Sequence, residues 1–163
     1  MMNLNFWNRI KALITPSPKI RYSESVVVPG IGVLFFNKEG ERSYWSGHVH
    51  NIAVNYEVEL RIYNTAINGP TTEQLDEVGD FGKHYDGLKS VLLFRLKQFF
   101  LKSGKDISFE DLEKVFYLSR VELSESLQWK IILEPSYKVE SSFDFFPQFE
   151  LFRNRVTWTS FDN

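Results

Sequence analysis

Apolar and polar positions alternate along much of the first half of the chain, a pattern typical of strands with one buried face. Valines occupy positions 26–28 before the turn pair Pro29-Gly30, and an apolar run follows at 32–36. The alternation is clearest over residues 54–63, where every second residue is apolar. A strand with this period lies with one face on a core and the other in water. The pattern predicts a meander of about four strands.

The period of the apolar positions changes to that of a helix after residue 70. Thr71 and Gln74 have the spacing of a capping box, in which two side chains satisfy free N–H groups at a helix start. Helical spacing then continues to about residue 102, with an apolar stripe in its second part. Glycines at 79, 82 and 87 interrupt it, each costing about 1 kcal/mol relative to alanine. We therefore expect two helices or one broken helix, and a further short helix from Ser108 to about Phe116.

Alternation returns after residue 116 and predicts about four more strands, over 117–123, 127–133, 143–152 and 156–161. In the first of these, Tyr117, Ser119, Val121 and Leu123 alternate with Leu118, Arg120 and Glu122. Strands that cluster in runs, rather than alternating with helices, favour antiparallel sheet. The predicted fold class is therefore α+β, with a predominantly antiparallel sheet. Its order is about four strands, central helices and about four strands, in a single domain over residues 23–163.

Residues 1–22 form a separate basic segment without an acidic residue, ending in the breaker string Thr15-Pro16-Ser17-Pro18. Phe6, Ile10, Leu13 and Ile14 would share one face of a short helix. We expect this N-terminal helical arm to dock on the domain or to fray. The alternative is that residues 1–14 lie in a membrane interface, as basic amphipathic helices do.

Composition narrows the class of protein. The chain has 163 residues, 16% of them aromatic, with a net charge of -2 and no cysteine. Disulfides, thiolate nucleophiles and cysteine-bound zinc are excluded. The weak net charge provides no bulk basic surface, so we expect no direct binding of nucleic acid. No apolar run approaches the roughly 18 residues of a membrane-spanning helix, and polar residues interrupt any secretory leader, so we expect a cytoplasmic protein.

The sequence contains no recognisable catalytic motif. It has no G-x-S-x-G elbow, no phosphate loop ending in GK[ST] and no H-E-x-x-H. Gly30-Ile31-Gly32 lacks the third glycine and the helix start of a dinucleotide site. We therefore expect a protein that is not an enzyme, with no catalytic residues and no cofactor.

Three side chains form a candidate ligand site on one strand. Tyr44, His48 and His50 share a face because residues two apart on a strand point the same way. Two histidines without a third and fourth ligand rarely hold a metal, so we expect no metal here. They are either the polar side of a half-exposed strand or part of a small-ligand pocket. Trp45 has the phase of Val49 and is expected in the core, and Gly47 marks a bulge or a close approach of another element.

Four carboxylates define a candidate partner-binding surface, which we name the acidic helix surface: Glu73, Asp76, Glu77 and Asp80. Their spacing places them on one face of the first predicted helix. This face is either solvated or docks a basic partner, since complementary charge speeds association. A second acidic segment, with Asp106, Glu110, Asp111 and Glu113, has no compensating basic residue within it and is the next candidate.

Three segments read together resemble a known group of proteins. They are Tyr44-Trp45-Ser46-Gly47, the alternating strand that ends near Ile62, and Gly69-Pro70-Thr71-Thr72-Glu73-Gln74-Leu75. Over about residues 30–100 the chain is similar to small bacterial domains of unknown function in which a W-x-G strand and an alternating strand precede a capped helix. Several of these are thought to be immunity proteins beside secreted toxins.

The resemblance implies a non-catalytic immunity protein that binds and neutralises a cognate toxin domain, and it supplies no catalytic residue; the acidic segments suit a toxin domain with a basic surface. Two alternatives remain. One is a small-ligand-binding or enzymatic α+β domain with a pocket near Tyr44, His48 and His50. The other is a structural or membrane-peripheral protein that uses the N-terminal arm.

Overall fold

The structure is a computed structural model that describes residues 24–50, 57–136, 146–153 and 155–161. Within these ranges, eight strands form one sheet in chain order, and two helices connect its middle strands. The strands are β1 (Ser25–Val28), β2 (Gly32–Glu39), β3 (Arg42–Val49), β4 (Val58–Tyr63), β5 (Phe116–Leu123), β6 (Trp129–Pro135), β7 (Gln148–Phe152) and β8 (Arg155–Ser160). The helices are α1 (Thr72–Lys102) and α2 (Phe109–Val115). The predicted α+β class and mostly antiparallel sheet are confirmed, whereas the predicted N-terminal arm lies outside the described residues.

One pair of described strands, β4 and β5, is parallel, and the other neighbouring pairs are antiparallel. An antiparallel pair needs only a short hairpin, whereas a parallel pair requires a crossover that returns the chain to the starting edge. Helices α1 and α2 provide this crossover between the end of β4 and the start of β5. The clustering of strands in the sequence predicted antiparallel pairing and did not indicate that β4 and β5 are parallel.

Helix α1 is a single helix of 31 residues, so the predicted division into two helices or a broken helix is wrong. The buried side chains Val78, Phe81, Tyr85 and Leu88 continue the apolar face across the region of the glycines. Packing of an amphipathic face provides most of a helix's stability in a folded protein, which outweighs the intrinsic cost of glycine. The stripe predicted further along is confirmed, with Leu88, Leu92, Leu93, Leu96 and Phe100 all buried.

Strand β5 departs from the predicted alternation. Its pairing with β6 shifts between Leu118 and Arg120, where one residue is inserted. Leu118 and Val121 are both buried as a result, and Tyr117 does not share a face with Val121. After an inserted residue of this kind, each later side chain of the strand lies on the opposite face of the sheet from the one that strict alternation predicts. Strand β4 begins at Val58, and the earlier part of the predicted strand, 54–56, lies outside the described residues.

The prediction for the Trp45 region is confirmed. Trp45 is 1% exposed, and its indole N–H donates to the Ala66 carbonyl at 3.0 Å. Gly47 allows strand β2 to approach closely, because a Cβ atom at this position would lie 2.4 Å from the Val33 carbonyl oxygen. The absence of a side chain is therefore a packing requirement at Gly47.

Candidate functional site

The face of the sheet opposite α1 carries polar side chains, and we name it the polar sheet face. On β4, Glu59, Arg61 and Tyr63 are half-buried there and alternate with core residues. Strand register aligns one row across six strands: Ser46, Arg61, Glu122, Lys130, Glu150 and Trp158. Positive and negative side chains alternate along the middle of this row. Opposite charges directly across neighbouring strands stabilise a sheet.

A network of ion pairs lies at the centre of the polar sheet face. Arg61 Nε donates to Glu59 Oε1 at 2.7 Å, and Arg120 Nη1 donates to Glu122 Oε1 at 3.3 Å. Arg120 Nε is 3.1 Å from Glu59 Oε2 but is not aimed at it for a hydrogen bond, so this contact is ionic. Burial is the largest single influence on the pKa of Arg61 and lowers it, but the hydrogen bond to Glu59 and the charges of Glu59 and Glu122 together outweigh burial, so the pKa is raised. These four charges compensate one another and hold the strands in register.

Two cavities open at the end of the sheet where β4 and β5 finish, and together we name them the β4–β5 cleft. Their volumes are about 420 and 170 Å³, and both are lined by Tyr63, Glu122 and Lys130. The larger is also lined by Glu41, Arg42, Ser43, Thr65 and Glu125, and the smaller by residues that include Trp129, Glu150, Leu151 and Thr157. Burial first and then the Glu122 carboxylate raise the pKa of the Tyr63 hydroxyl, which therefore stays protonated in the cleft at neutral pH.

Of the candidate ligand residues, Tyr44 borders this cleft, since its ring lies 5.6 Å from that of Tyr63, whereas the two histidines lie away from it. Tyr44 stacks beneath the Arg61 guanidinium, with 5.3 Å between the guanidinium carbon and the ring centre. His48 is exposed near the other end of the strand, about 20 Å along it from Arg42, and His50 is exposed just beyond the end of the strand. His50 Nε2 is 3.9 Å from Glu57 Oε1. The structure thus brings Tyr44 into the polar sheet face and leaves both histidines in solvent.

No metal cluster is formed by the part of the chain that the structure describes, where no three histidine, aspartate or glutamate side chains gather in a way that would hold an ion. This concerns 24–50, 57–136, 146–153 and 155–161 only.

The four carboxylates of the acidic helix surface are not equivalent. Glu73, Asp76 and Asp80 are exposed. Asp80 accepts a hydrogen bond from Lys83 Nζ at 2.9 Å, and this bond lowers the pKa of Asp80. Glu77 is half-buried, and its Oε1 accepts a hydrogen bond from the Trp129 indole at 3.0 Å. Glu77 therefore stabilises the packing of α1 on the sheet, and three carboxylates remain on the open surface.

A buried amide fixes the start of α1 to the end of β4. Gln74 is 3% exposed, and its Oε1 accepts from Asn64 Nδ2 at 2.9 Å and from the Thr71 N–H at 3.1 Å. Its Nε2 donates to the Tyr63 carbonyl at 3.0 Å, and Thr71 Oγ1 completes the predicted capping box. The acidic helix surface is thus rigidly placed at the end of the sheet that holds the cleft. Sequence spacing predicted the cap, but nothing in it pointed to Asn64.

The second acidic segment does have compensating bases. Lys97 Nζ lies 3.6 Å from Asp106, Lys114 Nζ lies 2.7 Å from Glu110, and Lys89 pairs with Glu113. Asp111 accepts a hydrogen bond from Ser108 Oγ at 2.6 Å. The expectation that no basic residue compensates this segment is wrong, because Lys114 lies one turn after Glu110 in α2 itself and the fold brings Lys89 and Lys97 of α1 beside α2.

The different roles of Glu77 and Asp76 lead to a stability prediction. We expect Glu77→Ala to lower the free energy of unfolding by about 2 kcal/mol, since it leaves a buried indole N–H without its charged acceptor. Asp76→Ala, one residue away and exposed, should change it by less than about 0.5 kcal/mol. Urea denaturation followed by far-UV circular dichroism measures both. Equal effects of the two substitutions would contradict the assignment of Glu77.

Comparison with known proteins returns no match for this chain, whether against protein-family models, curated proteins or solved structures. In the described part of the chain, neither helix has the length and apolar character required to cross a membrane.

Proposed function

We propose that this chain is a non-catalytic interaction protein that binds a basic protein partner through the acidic helix surface. The observation that supports the proposal is the presence of three exposed carboxylates, Glu73, Asp76 and Asp80, on a helix start that buried hydrogen bonds hold in place. A surface that is already ordered loses little conformational entropy on binding. Complementary charge across the interface then accelerates association and selects the partner.

The contrast between the two acidic regions favours this surface over α2. Lysines pair with three of the four carboxylates in the second segment, whereas Lys83 pairs with one of the exposed carboxylates near the start of α1. Glu73 and Asp76 are therefore the strongest candidates for contact with a basic partner.

The resemblance to immunity proteins supplies the class of partner. A toxin domain that cleaves nucleic acid presents a basic surface to its substrate, and an acidic surface that covers it blocks access. We infer that the protein is a cytoplasmic, toxin-neutralising domain of this kind. We also infer a single domain with four strands before and four after the helices, because one hydrophobic cluster joins buried side chains of β1 through β7 with both helices.

A double charge reversal tests the proposal. Partners are co-purified from the native host at low salt, and association rates are then measured at several salt concentrations. We expect Glu73→Lys with Asp76→Lys to slow association about tenfold at low salt and to flatten its salt dependence, because both effects follow the local charge. The far-UV circular dichroism should not change.

The matched control is Glu110→Lys with Glu113→Lys. Both double variants change the net charge by the same amount, so a slower rate in the first alone identifies a local contact rather than a general repulsion. If the first variant binds with the association rate and salt dependence of the wild type, the acidic helix surface is not the interface.

A further inference from the structure

The β4–β5 cleft lies where strand connections diverge. Strands β4 and β5 are parallel neighbours, but β4 leads into α1 on one face of the sheet, whereas β5 turns directly into β6. Diverging connections leave a concave region at the ends of the strands, and concave regions with converging polar groups are where small ligands bind. The two cavities share Tyr63, Glu122 and Lys130 at this end of the sheet, and the smaller one extends from there over β6 to β8.

The Lys130 ammonium is available for a ligand. Register places Lys130 directly between Glu122 of β5 and Glu150 of β7, and its side chain is half-buried. In the described part of the chain, its Nζ forms no ion pair within 4.0 Å, because Glu122 is held by Arg120 and by the Tyr63 hydroxyl. Lys130 therefore lies between two carboxylates without a direct ion pair to either, and a ligand carboxylate that reached its ammonium would form a charge-assisted hydrogen bond.

Carboxylates line the same cleft and exclude a simple anion as its best ligand. Glu150 is exposed beside Lys130 in the smaller cavity and has no ion pair in the described ranges. Glu41 and Glu125 line the larger cavity opposite Arg42. A lone anion would be repelled by these carboxylates, and a lone cation by Lys130 and Arg42. A ligand that carries both charges satisfies Lys130 and Glu150 together.

We propose that the β4–β5 cleft binds a small zwitterion, with the ligand's carboxylate on Lys130 and its ammonium group on Glu150. Lys130 and Glu150 lie directly opposite each other on strands about 4.8 Å apart, so a ligand whose two charges are close together, such as a free α-amino acid, fits both. The half-buried Tyr63 ring supplies the accessible apolar wall for an aliphatic side chain, because Trp129 and Leu151, which also line the smaller cavity, are each only 1% exposed. The site is independent of the acidic helix surface, since neither Glu73 nor Asp76 lines it.

Three compounds that differ only in charge test the ligand class. L-leucine carries both groups, 4-methylpentanoate has the carboxylate alone, and 3-methylbutylamine has the ammonium alone. Each is titrated into the ¹⁵N-labelled full chain, and amide shifts are followed. We expect saturable shifts of cleft residues with L-leucine and about tenfold weaker binding of each singly charged analogue, because each lacks one charged hydrogen bond.

Variants locate the contacts. Lys130→Gln and Glu150→Gln should each weaken L-leucine binding about tenfold, whereas Lys97→Gln on α1 should leave it unchanged. Preserved amide spectra confirm that the cleft variants are folded. The proposal is overturned if 4-methylpentanoate binds as well as L-leucine, which indicates an anion site. Failure of L-leucine, L-serine and L-lysine to give saturable shifts also overturns it, as does binding that survives both substitutions.

Discussion

Replacing Gly47 by alanine is expected to lower the free energy of unfolding by about 3 kcal/mol, because overpacking against backbone in a central strand cannot relax easily. The added methyl group would lie 2.4 Å from the Val33 carbonyl oxygen and 2.9 Å from Leu34 Cδ2. The oxygen belongs to the neighbouring strand, and moving it would disturb the pairing of β2 with β3.

The same substitution at Gly87 should have the opposite sign. Gly87 is exposed in α1, and nothing lies within 4 Å of a Cβ atom added there. Alanine is the better helix former by about 1 kcal/mol, so Gly87→Ala should raise the free energy of unfolding by that amount. Urea denaturation of the two variants and the wild type measures both changes. A neutral effect at Gly47 would show that β2 and β3 are not in close contact at this position.

Replacing Gln74 by leucine is expected to cost about 3 kcal/mol, because it leaves several buried polar groups without partners. The side chain satisfies Asn64 Nδ2, the Thr71 N–H and the Tyr63 carbonyl, and Asn64 is itself 7% exposed. Leucine has a similar volume but no hydrogen-bonding group. The start of α1 would then lose its connection to the end of β4.

Thr71→Ala provides the matched comparison, since it removes the hydroxyl of the same capping box and leaves Gln74 in place. An N-cap substitution of this kind typically costs about 1 kcal/mol. Chemical denaturation gives the stability of both variants, and hydrogen exchange of the first turn of α1 reports local opening. If the two substitutions cost the same, the contacts of Gln74 outside the cap contribute little to stability.

Local patterns in the sequence were sufficient for the class of fold. Alternation places Val58, Leu60 and Ile62 in the core, and all three are fully buried. The spacing of Thr71 and Gln74 predicted the cap of α1, and the phase of Trp45 predicted its burial. Each of these features depends on residues within one turn or one strand, so its physical cause is present in the neighbouring sequence.

Contacts between residues distant in the sequence determined the features that local patterns did not predict. Continuity of α1 through its glycines depends on packing against the sheet, and the inserted residue of β5 follows from pairing with β6. Glu77 accepts a hydrogen bond from Trp129, which lies 52 positions away in the sequence. This bond gives Glu77 a structural role that the other carboxylates of the acidic helix surface lack, although helical spacing places all four on the same face. Helical spacing indicates which face of a helix a residue occupies, but not which residues of other elements that face contacts.

The β4–β5 cleft is the clearest example of a feature that depends on contacts between distant residues. Tyr63, Glu122 and Lys130 belong to three strands and share no motif in the sequence. They meet because β4 and β5 pair in parallel, which requires the long crossover through α1 and α2. The sequence by itself determined where most strands and helices lie, since those preferences are local, but not that α1 continues through its glycines. The tertiary structure alone decided which strand ends adjoin, because pairing between strands depends on the summed packing of the whole sheet.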